Sequence, residues 1–160
     1  MEHKMKRCFF IGHRDAPTTL QPLLEKTIEA CICSHQIQQF VVGHYGDFDR
    51  MVTAALINSK KKYPSIQLLC LVPYHPTERV VSVPPEFDGT LYPDGMETVP
   101  RQYAIVRANQ YMVNHCDRLI AYVCFDGSNA GKVLNLAKKK GIAVENLAEC
   151  GKNSVVSLVF

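Results

Sequence analysis

The chain has 160 residues, 47% of them hydrophobic and 21% charged, with a formal net charge of +3. Such a composition describes a single globular domain over residues 1–160 with enough apolar residues for a core. The small positive surplus gives no case for nucleic acid or a membrane surface as partner, and no apolar run reaches the roughly 18 residues of a membrane span.

Cys8-Phe9-Phe10-Ile11 is a short, unbroken apolar run ending in Gly12-His13-Arg14-Asp15. That pattern predicts a central strand followed by a tight turn into a helix. Pro17 suits the first turn of that helix, and Leu20, Leu23, Leu24, Thr27, Ile28 and Cys31 keep helical spacing to about Ser34. Phe40-Val41-Val42 predicts a second buried strand, closed by Gly43-His44-Tyr45-Gly46-Asp47. Asp47 can cap the next helix, whose apolar face is Phe48, Met51, Val52, Ala55 and Leu56 and whose end lies near Lys62. Ile66 to Val72 predicts a third strand.

Residues 73–100 hold six of the nine prolines and show no lasting period. A loop of this length is usually functional or disordered, and its aromatic and ionisable members suggest a lid over a site. From Arg101 to Lys140 the pattern is helix, buried strand (Leu119 to Phe125), small-residue turn (Asp126 to Gly131) and helix. Gly141 suits a helix C-cap, Ile142-Ala143-Val144 begins a fifth strand, and Ser154 to Phe160 reads as a sixth at an edge. Alternating strands and helices with short connections predict an α/β, Rossmann-like fold. The expected sheet is doubly wound and mostly parallel, with about five to six strands and helices on both faces.

Of the seven cysteines, Cys8, Cys70 and Cys124 fall in the expected buried strands, and no CxxC pair exists. The odd count and the lack of a signal peptide point to a cytoplasmic protein whose cysteines are small core residues, with no metal site. The runs Lys60-Lys61-Lys62 and Lys138-Lys139-Lys140 read as solvated helix ends, where the dipole favours cations.

Chemistry is expected beyond the carboxyl ends of the strands, where free N–H groups at helix starts attract anions. Three glycine-bearing turns fall there: Gly12-His13-Arg14, Gly43-His44-Tyr45-Gly46-Asp47 and Asp126 to Gly131. Together they suggest a phosphate-bearing, nucleotide-like ligand. Two familiar phosphate motifs do not fit. Gly127 to Val133 is one spacer short of a P-loop and lacks its Ser/Thr, and Gly12 alone is not a GxGxxG fingerprint.

FIGHR at 10–14, GHYGDFD at 43–49, YPSIQLLCLVPY at 63–74, RANQYMVNHCDRLIAYV at 107–123, GSNAGK at 127–132 and AKKKGI at 137–142 together resemble the YpsA-like branch of the SLOG superfamily. That superfamily joins the DNA-processing protein A family and the Lonely Guy (LOG) phosphoribohydrolases. The resemblance implies a Rossmann-like fold and a nucleotide-derived ligand, bound either by a sensor or, in the LOG branch, by an enzyme cleaving the N-glycosidic bond of nucleoside monophosphates.

Carried over by position, Gly12, His13 and Arg14 line the first turn, and Gly46, Asp47 and Asp49 match the second. Asn109 and Asp117 flank the fourth strand, and Gly127, Ser128, Asn129, Ala130 and Gly131 stand at the phosphate loop. LOG enzymes carry a PGGxGTxxE loop, and here Asn135 falls where its glutamate should be. An amide cannot act as general base or stabilise an oxocarbenium ion. The family arginine falls at Ala108, with Arg107 one place off. These departures favour a binding module, with Arg107, Asp126 and Glu97 left as catalytic candidates.

Plainer roles compete for the same residues. His13 and His44 can hydrogen-bond turn backbone, Asp47 can be a helix cap and Asp49 a solvated first-turn charge. Ser128 and Asn129 can be an N-cap pair. The expected partner is a phosphate-bearing small molecule, with no required cofactor. Nucleic acid is disfavoured, and homo-oligomerisation stays open.

Overall fold

The computed structural model describes residues 5–148. Strand β1 (Arg7–Gly12) lies at the centre because Cys8, Phe9 and Phe10 are all buried. Cys8 and Phe10 join one core layer while Phe9 joins the other, so the strand needs an unbroken apolar run. The same division holds in β2 (Gln39–Val42) and β5 (Arg118–Tyr122): Phe40, Val42 and Ile120 face one layer, and Val41, Leu119 and Ala121 the other. With β3 (Gln67–Leu71), β4 (Gly89–Leu91) and β6 (Ala143–Asn146) they form a six-stranded, all-parallel sheet in the order β4-β3-β2-β1-β5-β6.

Helices α1 (Gln21–Cys33) and α2 (Asp47–Lys62) cover one face. Helices α3 (Ala104–Asn114) and α4 (Asn129–Lys139) cover the other. The result is a Rossmann-like, doubly wound α/β fold. The chain winds outward from β1 to β4, then returns to lay β5 on the free side of β1. That reversal opens a crevice above β1 and β5, the usual ligand position in such sheets. No helix among the described residues is long and apolar enough to cross a membrane.

Residues 73–100 are more structured than their sequence suggests. β4 pairs in register with β3, Leu69 opposite Gly89 and Leu71 opposite Leu91. Two anchors set that register. Phe87 is buried in the core, and Asp88 exchanges hydrogen bonds with Leu68 through both its backbone N–H and its carboxylate, each at 2.8 Å. Lys60 Nζ reaches the same carboxylate at 2.7 Å, and Lys62 pairs with Glu29 at 3.1 Å. Two of the three lysines ending α2 are therefore paired rather than merely solvated.

The fourth expected strand is shorter than predicted. β5 stops at Tyr122, and Cys124 is exposed rather than buried in a strand. Buried Asn146 takes over where the ladder ends. Its side chain accepts the Val123 N–H at 3.1 Å and donates to the Val123 carbonyl at 3.0 Å, aiming the chain into the 124–131 turn. The expected strand over 154–160 lies outside the described residues.

Candidate functional site

A cavity of about 260 Å³ opens at the β1/β5 reversal. Its walls come from the end of β1 (Phe9 to Arg14), the β2–α2 turn (Gly43, Tyr45, Asp49), the end of β3 (Leu71, Pro73), α3 (Ile105, Ala108, Asn109) and the start of α4 (Ser128, Asn129, Ala130). Of the expected ligand residues, it brings together Gly12, His13, Arg14, Gly43, Asn109, Ser128, Asn129 and Ala130.

Gly12 is small because Phe48 is close: a Cβ there would lie 2.4 Å from the ring. His13 ties the two sides of the reversal. Its backbone N–H donates to the Tyr122 carbonyl at 3.2 Å, and its Nε2 accepts the Cys124 N–H at 2.7 Å. Burial lowers its pKa, against a smaller upward pull from Asp15. A backbone N–H can only donate, so Nε2 is unprotonated and the ring is a neutral clamp. Phe125 stacks on it with centroids 4.7 Å apart.

Gly46 holds the first two turns together. It has φ +100°, and Asp47 beside it donates its N–H to the Arg14 carbonyl at 2.7 Å. The Asp47 side chain pairs with Arg50 at 3.1 Å, outside the cavity. His44 is exposed and packs against Tyr45, with Nδ1 3.6 Å from Cys70 Sγ.

The third turn closes as an N-cap. Ser128 Oγ accepts the Gly131 N–H at 2.9 Å and donates to the Phe125 carbonyl at 3.0 Å. Gly131 is small for a local reason, since a Cβ would meet the Asp126 carbonyl oxygen at 2.6 Å. Asn129 and Ala130, the first two residues of α4, have no acceptor within the helix for their N–H groups, and both residues line the cavity. That is a ready anion position. Gly127 is exposed beside it and reaches no wall.

Other expected residues lie elsewhere. Asp117 accepts the Arg7 N–H at 2.8 Å, at the amino end of β5 and so across the sheet from the cavity. Arg107 is exposed on α3 beside Asp94, Gly95 and Met96, whereas Ala108, where the resemblance puts an arginine, is buried in the cavity wall. Glu97 and Asp126 are exposed and line no part of the cavity. Asn135 is on the exposed side of α4. Of residues 73–100, only Pro73 lines the cavity; Gly89–Leu91 pair at the sheet edge, Met96 lies beside α3, and Arg79 and Arg101 lie over the Tyr74 ring at 4.5 and 5.1 Å.

The residue that sequence reasoning undervalued is Asp49. It is not a solvated charge but 9% exposed, and among the described residues it is the one acid in the cavity wall. Its Oδ2 accepts the Tyr45 N–H at 3.0 Å and would lie 3.0 Å from a Cβ at Gly43, so glycine there makes room for the carboxyl. Burial raises its pKa to about 7, with the Tyr45 N–H pulling the other way. Asp49 enters none of the ion pairs among the described residues. The Tyr45 hydroxyl is buried, with Arg79 as a charged neighbour. The spacing Asp49, Val52, Leu56 runs along the buried stripe of α2, a signal the sequence did carry.

Among the described residues no three His, Cys, Asp or Glu side chains converge as a metal site. The fold and the position of the cavity define a Rossmann-like parallel α/β protein with a ligand-sized crevice at its topological reversal. No protein-family model and no curated protein matches the chain. Among solved structures it is similar to the X-ray structure of DNA processing protein A (DprA) from Streptococcus pneumoniae. The TM-score is 0.61 and the identity 14%, over 88% of this chain and 49% of that one. The likeness is one of fold, and this chain spans about half the length of that structure.

Proposed function

We propose that the cavity binds a phosphate-bearing, nucleotide-derived small molecule and that the protein acts as a sensor of it, in the manner of the SLOG-like domains that its motifs resemble. The observation that carries this reading is the start of α4 standing in the wall of a cavity at the sheet reversal. The helix supplies oriented N–H donors for phosphate, and the apolar remainder of the wall takes the organic part. A volume of about 260 Å³, just below the usual range of roughly 300–1,000 Å³ for drug-sized ligands, suits a mononucleotide better than a dinucleotide.

Thermal shift with AMP, ADP-ribose and NAD at millimolar levels tests this. A ligand at 100 times its Kd stabilises by about 2.7 kcal/mol, or roughly 5–11 °C in Tm for a chain of this size. Absence of any shift beside a working control sinks the reading. Asn129→Asp is the diagnostic variant. A carboxylate in the first turn of α4 favours the free helix by about 0.3–1 kcal/mol, yet repels a bound phosphate. The Tm of the free protein should hold or rise while the nucleotide-induced shift collapses.

A second reading, cleavage of a nucleoside-monophosphate N-glycosidic bond, is favoured by one observation: Asp49 puts a carboxyl of pKa about 7 into the cavity. Such a group suits general acid–base work near neutral pH. Release of free base from AMP, lost in Asp49→Asn but retained in Glu97→Gln and Asp126→Asn, is the outcome that supports it. No release by the wild-type protein removes it.

A further inference from the structure

Among the described residues Asp49 is a buried carboxyl without an ion-pair partner, and one of its oxygens is already engaged by the Tyr45 N–H. An ionised carboxylate only accepts hydrogen bonds, and two oxygens offer about four acceptor positions. Most of that capacity is unused among the described residues, although Asp49 belongs to the cavity wall. A carboxylate held this way is costly unless something donates to it. The walls around it are largely apolar, with Phe9, Ile11, Leu71, Pro73 and Ile105 offering side chains that cannot pair with the polar edge of a base.

The sheet fixes where a donor would have to stand. β5, which leads into α4, and β2, which leads into α2, flank β1 on opposite sides. In the plane of the sheet two strand spacings separate them, roughly 10 Å, and α2 and α4 start on opposite faces of it. That reach suits a sugar phosphate spanning the cavity with a hydrogen bond at each end, phosphate on the start of α4 and hydroxyls on Asp49.

We infer that Asp49 reads the vicinal diol of a ribose 5-phosphate unit, so that the site selects ribonucleotides or ribose phosphates over their deoxy counterparts. The inference rests on reading the cavity as a phosphate site. Its plainer rival is that Asp49 only staples the turn by accepting the Tyr45 N–H. A staple predicts no difference between sugars.

Isothermal titration of the full chain at pH 8 separates these cases, using AMP, 2′-deoxy-AMP, 3′-deoxy-AMP, ribose 5-phosphate and 2-deoxyribose 5-phosphate. Loss of a hydrogen bond to a charged group is expected to weaken binding of at least one deoxy-nucleotide about 10-fold or more. Ribose 5-phosphate should likewise exceed its deoxy form. Comparison of the two ribo ligands shows whether the base adds affinity, and so whether a nucleotide or a free sugar phosphate is the better occupant. In Asp49→Asn the ribo-to-deoxy ratio should fall below about 3-fold. Equal binding of all sugars by the wild-type protein overturns the diol assignment while leaving the phosphate site standing. A ratio that survives in Asp49→Asn overturns the role of Asp49. Silence from every ligand overturns both. The wild-type comparison decides the matter even where the variant fails to fold.

Discussion

Asp49→Asn should make the ligand-free protein more stable at pH 8 by about 4 kcal/mol, and change it little at pH 4. Burial raises the Asp49 pKa from 3.8 to about 7 in the folded protein. The folded state therefore holds this proton more tightly than the unfolded chain. Its stabilising effect is fully present below pH 3.8 and is lost as the pH rises through about 7. At about 1.36 kcal/mol per tenfold in proton affinity, the difference amounts to about 4 kcal/mol. Asparagine keeps an oxygen for the Tyr45 N–H and has no charge to desolvate, so its stability curve lacks this slope. The comparison is between two curves of Tm against pH, and contributions from other groups cancel in the difference. For a chain of this length the curves should separate by roughly 8–16 °C at the alkaline end. Parallel curves would mean that Asp49 is hydrated or paired in solution, and both functional roles proposed for it would lose their basis.

This prediction turns on a residue that the sequence disguised. Asp49 reads as a first-turn helix charge, because acids are common there and the dipole favours them. What buries it is Gly43, six residues earlier, whose missing side chain leaves room for the carboxyl. That is a tertiary relation, legible only in part from the stripe Asp49, Val52, Leu56. The central strands were easier. Each is covered on both faces, and an unbroken apolar run is what such a strand must have. β4 was hidden for the opposite reason: three residues at an edge, Gly89, Thr90 and Leu91, have no period to show, and the anchors Phe87 and Asp88 lie outside the strand. Asp117 illustrates an avoidable misplacement. It precedes its strand, and in an all-parallel sheet that puts it at the amino end, away from the ligand edge. The helical phase of α3 carried the correct warning about Arg107. Ala104, Ala108 and Met112 mark the buried stripe, Asn109 borders it at the cavity, and Arg107 falls outside it.

Gly46→Ala should cost about 3 kcal/mol or more, and weaken any ligand that uses the cavity. Two independent obstacles act at this position. The backbone has φ +100° and ψ 177°, a region that essentially only glycine occupies, and forcing another residue there costs roughly 1–3 kcal/mol. The added Cβ would also lie 2.7 Å from the Arg14 Cα, a backbone atom that cannot rotate aside. Relieving such overpacking costs typically about 1–3 kcal/mol more. The easiest relief moves the β2–α2 turn away from the β1 turn, which breaks the Asp47 N–H to Arg14 carbonyl bond of 2.7 Å. Arg14, Tyr45 and Asp49 would then separate, and these residues belong to one cavity wall. Chemical denaturation measures the first effect and titration with AMP the second. Gly127→Ala is the matching control, because a Cβ there meets nothing within 4 Å and no left-handed φ is required. A loss in Gly127→Ala equal to that in Gly46→Ala would show that the turns are soft, and that glycine at 46 is not what holds the cavity in shape.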